Sequence, residues 1–299
     1  MGSRIINTSR LARPRFSNNS YLLANNQING NWGLIRHSNN LNPFSSLSFD
    51  GNNSAFTYTF DDTNGQGENV DIIFLTQGMI YTDNDAYKTE GVSRIQQFDW
   101  RSLTGSPTSV NVDYSTSATR ASHSENVIAC ACHNDYGAAT KANIYIIPNT
   151  QISTSTHKWI LVRLFHQQKG NSNPTIVVNS SGSQVTTTQT LFFKFRGETY
   201  RTINGGYPFQ QQESTGERYA GFYTGEALRI KQSSAELTEV KAATDAGVIH
   251  FVSAGNTGGK LEVPGGVDYG NQIRRYTEIN TTYDVGIASY DNDDSIVVG

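Results

Sequence analysis

Short apolar runs alternate with stretches of helical spacing along most of this chain, and that alternation limits the possible folds more than any other feature. Residues 70–75 are almost continuously apolar and are bounded by Gly67 and Gly78, as a strand buried on both faces requires. Residues 142–147, 175–178, 248–253 and 296–298 repeat the pattern. Between them, 126–133 carries small packing residues (Val127, Ile128, Ala129, Ala131), and 158–168 has Trp159, Ile160, Val162, Leu164 and Phe165 as apolar positions. Residues 234–246 space Leu237, Val240 and Ala243 three apart before Gly247, a residue suited to a left-handed helix cap. Strands alternating with helices predict an α/β layered domain with a mostly parallel sheet.

Two stretches break the rhythm. Residues 1–55 are rich in Asn and Ser and sustain no helical period, which predicts an extended N-terminal arm before an α/β domain over 56–299. The arm is also electrically distinct. Residues 1–49 hold Arg4, Arg10, Arg13, Arg15 and Arg36 but no Asp, Glu or Lys, within a chain of net charge −3. A basic arm on an acidic body suggests docking on an acidic surface, such as another copy of the same body. Residues 183–232 alternate polar and apolar residues among many Thr and Gly, which predicts a β-rich insertion carried on the core.

Other chemistries find little support. Cys130 and Cys132 are the only cysteines; two apart on a helix, they face different ways and suit no internal disulfide. With His133 they form a C-x-C-H group, but zinc needs a fourth ligand and convergent geometry. The turn at Asp291, Asp293 and Asp294 reads as exposed rather than as a cation site. We therefore expect no metal and no cofactor. No phosphate-cradling glycine motif is present, and basic and aromatic residues do not interleave as nucleic-acid binding would need. No apolar run is long enough to span a membrane, and the absence of a charged segment followed by an apolar one near Met1 leads us to expect no secretion signal.

Three segments carry a resemblance. They are Val70-Asp71-Ile72-Ile73-Phe74-Leu75-Thr76-Gln77-Gly78, then His123-Ser124-Glu125-Asn126-Val127 running on to 136–145, and Val252-Ser253-Ala254-Gly255-Asn256. In order and context they are similar to the subtilisin-like serine proteases. The resemblance implies a subtilisin-like three-layer fold. On the alignment adopted here, Thr76 stands at the family's catalytic aspartate and Asn126 at its catalytic histidine, with His123 at a second, non-catalytic histidine. Asn256 matches the asparagine that donates to the oxyanion, and Ser180-Ser181-Gly182 matches a substrate-lining segment. The serine position would fall beyond Gly299.

A serine triad needs a nucleophile, a base and a carboxylate. Thr76 cannot supply the charge, and Asn126 cannot exchange a proton near neutral pH. The resemblance read this way implies a chain that is not an enzyme, with no catalytic residues and only an oxyanion-type Asn256 retained. Its composition is similar to that of tailed-phage virion proteins, and contractile-tail sheath subunits also have a subtilisin-like domain. The expectation is then a structural subunit of a phage virion (tail, neck or baseplate), made in the host cytoplasm. Its partners would be its own copies and other virion proteins, held through 1–55 and 183–232, with no nucleic acid and no membrane. Two alternatives stay open: a subtilisin-like endopeptidase or remnant with its serine beyond residue 299, and a peptide-binding pseudoprotease. His123 paired with Asp71 or Asp83 is the corresponding rescued arrangement. The expected neutral pair is Thr76 hydrogen-bonded to Asn126.

Overall fold

The computed structural model describes residues 66–115, 121–135, 137–152, 154–186, 190–201, 227–256, 261–275, 280–290 and 294–298. The expected 1–55 arm, the boundary at 56 and most of the acidic turn at 291–294 lie outside them. The described residues fall into two units, one running up to Val178 with Asp245–Ile249 added, the other comprising Asn179–Thr244 and His250–Gly299.

In chain order the strands are β1 (Asp71–Thr76), β2 (Lys88–Thr89), β3 (Val92–Ser93), β4 (Asn143–Pro148), β5 (Thr175–Asn179), β6 (Gln184–Thr186), β7 (Thr190–Phe195), β8 (Glu198–Arg201), β9 (Ala227–Arg229), β10 (Ile249–Ser253), β11 (Gln272–Arg275), β12 (Tyr283–Asp284) and β13 (Ile296–Val298). The helices are α1 (Ser122–Cys132), α2 (Ser155–Gln168) and α3 (Ser234–Asp245). A five-stranded sheet has the order β13-β10-β5-β1-β4. β1 pairs with β4 in parallel from Asp71↔Asn143 to Thr76↔Pro148, and β10 pairs with β13 in parallel. The mixed α/β class with a parallel sheet is as the alternation predicts. Pro148 sits at the last position of an outer strand, where its missing N–H does least harm.

All six residues of β1 are buried, so each face needs a cover. Successive side chains point to opposite faces. Ile72 and Phe74 of β1, with Ile144 and Ile146 of β4, pack with Ile128 and Cys132 of α1. On β4, Tyr145 points the other way and meets Phe165 of α2, ring centroids 4.6 Å apart. Phe98 and Trp100 complete that aromatic cluster. Helix layers on both faces of the strands follow directly from these two side-chain sets.

The described part of the 183–232 stretch, expected as a β-rich insertion on the core, pairs with a strand that follows it in the chain. β7 and β8 form a hairpin, but β7 also pairs with β11, and β11 with β12, in an antiparallel sheet of order β12-β11-β7-β8. The hairpin turn is Arg196-Gly197, with φ of 50° and 90°, the two positive values that a two-residue turn matched to strand twist requires. A non-glycine residue in that region needs support, and Arg196 has it. Its N–H donates to Asn271 Oδ1 at 2.9 Å and its Nε to Asp268 Oδ1 at 2.8 Å. Phe193, Ile273, Val185, Leu228, Ile230 and Val285 form the core of this part.

Candidate active site

β1 is flanked by β4 and β5. The chain leaves β1, adds β4 on one side, then crosses back to add β5 on the other. The carboxyl end of β1 therefore stands where strand order reverses, the place where open α/β sheets form their crevices. Thr76 ends the strand with 1% of its surface exposed. Its carbonyl accepts from Asn149 N–H at 2.7 Å, and the carbonyl of Gln77 accepts from Thr150 N–H at 3.1 Å. The turn after β4 is thus fixed to this end of β1. Asn149 Oδ1 in turn accepts from the buried Lys158 ammonium.

The first turn of α1 meets the same point. Ser124, fully buried, accepts from the Thr76 hydroxyl at 2.9 Å and from the Gly78 N–H at 3.0 Å. Ala121 before the helix offers no side-chain cap, so this serine is the anchor of the helix start. Glu125 accepts from the Tyr87 hydroxyl at 2.9 Å and from Asn84 Nδ2 at 3.3 Å. His123 precedes Ser124 on this turn and is half-buried, whereas Asn126 is exposed. The neutral partner of Thr76 is therefore Ser124 and not Asn126. The physical reason is helix geometry: positions 124 and 126 are about 200° apart around the axis, so both cannot face the strand. Sequence reading missed Ser124; its small size amid a helix start was the available signal.

The proposed rescue partners of His123 fare differently. Asp83 is exposed. Asp71 sits at the opposite end of β1, fully buried, and accepts from Lys169 Nζ at 2.7 Å and Asn143 Nδ2 at 2.8 Å. Lys169 also donates to Thr175 Oγ1 at 2.9 Å, and that hydroxyl meets His166 Nδ1 at 2.9 Å. Asp71 is thus committed to a structural network.

Asn256 is exposed and belongs to the other unit, after Gly255 with φ of 102°. Asn179 Oδ1 accepts from the Ser181 N–H and hydroxyl at 3.1 and 2.7 Å, shaping the 180–182 turn. Cys132 is buried, and desolvation pushes its thiol up to about 12; Cys130 is exposed as a residue, and desolvation raises its thiol too. His133 Nδ1 accepts from the Asp135 N–H at 3.0 Å. The C-x-C-H residues therefore do not converge, and no group of three or more metal-binding side chains occurs among the described residues. No helix among them is long and apolar enough to cross a membrane.

No protein-family model and no curated protein matches the chain. Among solved structures, a cold-adapted subtilisin-like serine proteinase aligns over 76% of this chain and 56% of its own, with 16% identity and a TM-score of 0.39. The CspB protease of Clostridium perfringens aligns over 66% and 38%, with 19% identity and a TM-score of 0.35. The chain thus spans little more than half of the first structure and less of the second. Likenesses this distant assign no residue. Both structures are proteases, so the expectation that the chain is not an enzyme finds no support among them. Asn126, the expected replacement for the base, lies on the exposed side of α1.

Proposed function

We propose that this chain carries the base-bearing part of a serine-type peptidase site, with His123 as general base, a peptide as substrate and the nucleophilic serine outside the described residues. One placement supports this reading: His123 lies on the first turn of α1, beside the Ser124 that ties the turn to Thr76 and Gly78 at the carboxyl end of β1. His123 would take the proton of the attacking serine and return it to the leaving amine. Ser124 is buried and already accepts two hydrogen bonds, so its part is to hold the helix start. Thr76 cannot provide the carboxylate that fixes the base's tautomer. In serine triads that loss lowers turnover on the order of 10⁴-fold, so the expected enzyme is slow.

The test is labelling of the protein, isolated from its natural source, with a fluorophosphonate probe, alongside the His123→Gln variant. Slow stoichiometric labelling of one serine, reduced at least about 100-fold in the variant, is the expected result. Absence of labelling, or labelling indifferent to the variant, overturns the proposal.

A further inference from the structure

Arg229 is a cation in an unusual setting. It is 5% exposed and lies at the end of β9. Two glycines clasp its guanidinium. A Cβ on Gly182 would stand 1.7 Å from Nη1, and one on Gly255 would stand 2.4 Å from Nε. No side chain of any size could replace either glycine while the guanidinium stays in place. One edge of the guanidinium is occupied. Nη2 donates to the Ser253 carbonyl at 3.0 Å and the Ser253 hydroxyl at 3.1 Å, and Nε to the Ala254 carbonyl at 3.3 Å. All of these are neutral acceptors. Burial lowers the guanidinium's pKa, and the titratable group acting against that is the Tyr290 phenol rather than a carboxylate.

The other edge is uncommitted. Nη1 has no hydrogen bond among the described residues. Next to it, the Ser289 hydroxyl would lie 2.7 Å from the same Gly182 Cβ position. Ser289 is 1% exposed and its Oγ is buried without a hydrogen-bond partner among the described residues. A buried cation is costly unless paired, and a buried hydroxyl is costly unless bonded. Here the two unmet needs adjoin. A carboxylate answers both, since each of its oxygens accepts, one from Nη1–H and one from Oγ–H. The contrast within the same chain is Lys169, whose buried ammonium does have its carboxylate, Asp71.

We infer that Arg229 and Ser289, framed by Gly182 and Gly255, form a recognition site for the carboxylate of a peptide ligand. Only the choice of a peptide rests on the peptidase reading above; the site itself rests on the guanidinium and hydroxyl.

Binding of fluorescein-labelled, end-blocked peptides to the full chain, read by anisotropy, tests it. A glutamate peptide is compared with its glutamine isostere and with a glutamine peptide bearing a free C-terminus. The glutamate peptide, or the free-carboxylate peptide if a chain end is the true ligand, should bind at least about tenfold tighter than the blocked glutamine peptide. Arg229→Gln should abolish the difference and Ser289→Ala should reduce it. Arg229→Lys, which keeps charge but loses the planar fork, serves if the glutamine variant does not fold. Equal binding of all three peptides overturns the site, as does a preference unchanged in Ser289→Ala and Arg229→Lys. The outcome is independent of catalysis. Serine labelling without acid preference sinks this site alone; acid preference without labelling sinks the peptidase proposal alone.

Discussion

The two ends of β1 solve the same problem in opposite ways. At the amino end, Asp71 is fully buried and ionically paired with Lys169, whose side chain is 3% exposed. Asn143, Asn173 and Thr175 complete the hydrogen bonding. At the carboxyl end, Thr76 and Ser124 are buried as a neutral hydroxyl pair that also takes the Gly78 N–H. An ion pair out of water is tolerable only when both charges and their remaining hydrogen-bonding positions are met. A hydroxyl pair avoids the desolvation of charge altogether. The amino end is thereby closed to any other task. The carboxyl end locks a helix start without a fixed charge and leaves the neighbouring His123 half-buried. That difference is why the site is sought at one end and not the other.

Substitutions at the two ends sharpen this contrast, and unfolding by denaturant reads each of them. Asp71→Asn should cost the most, about 3–5 kcal/mol, because it leaves the Lys169 ammonium buried without its counter-charge. Ser124→Ala should cost about 1–3 kcal/mol by stranding the Gly78 N–H and the Thr76 hydroxyl. Thr76→Val, close in shape, removes only one donor while Ser124 keeps its bond from Gly78; about 0.5–1.5 kcal/mol is expected. Asn126→Ala should stay within about 0.5 kcal/mol, as an exposed position does. A reversal of the last two, with Asn126 the costlier, would mean that α1 presents a different face to β1. Equal costs at Asp71 and Thr76 would remove the distinction between the ends.

Much of the parallel-sheet region was legible from residues. Its strands are continuous apolar runs, and β1, β4, β5 and β10 fall within a residue or two of where the runs predict them. Burial on both faces leaves a sequence little freedom, so the signal is strong. The antiparallel sheet was harder. β7 pairs with β11 about eighty residues later, and nothing local in either strand names its partner. The Arg196-Gly197 turn was hidden for a related reason. Arginine is no turn signal, and it holds φ of 50° through Asp268 and Asn271, which are distant in sequence. The site was legible to the level of the segment but not of the residue. Both ends of the 122–126 stretch match a helix opening, yet only rotation of the helix decides whether 124 or 126 meets Thr76. The same holds for Arg229: its lack of an acidic partner among the described residues depends on folding and not on any motif.

The most direct measurement is the rate of peptide cleavage by the natural protein, compared with its His123→Gln variant at equal folded concentration. The account predicts slow cleavage that falls at least about 100-fold in the variant, with the melting transition unchanged. Cleavage at the same rate in both proteins, or none in the natural protein, would contradict the assignment of His123 as base.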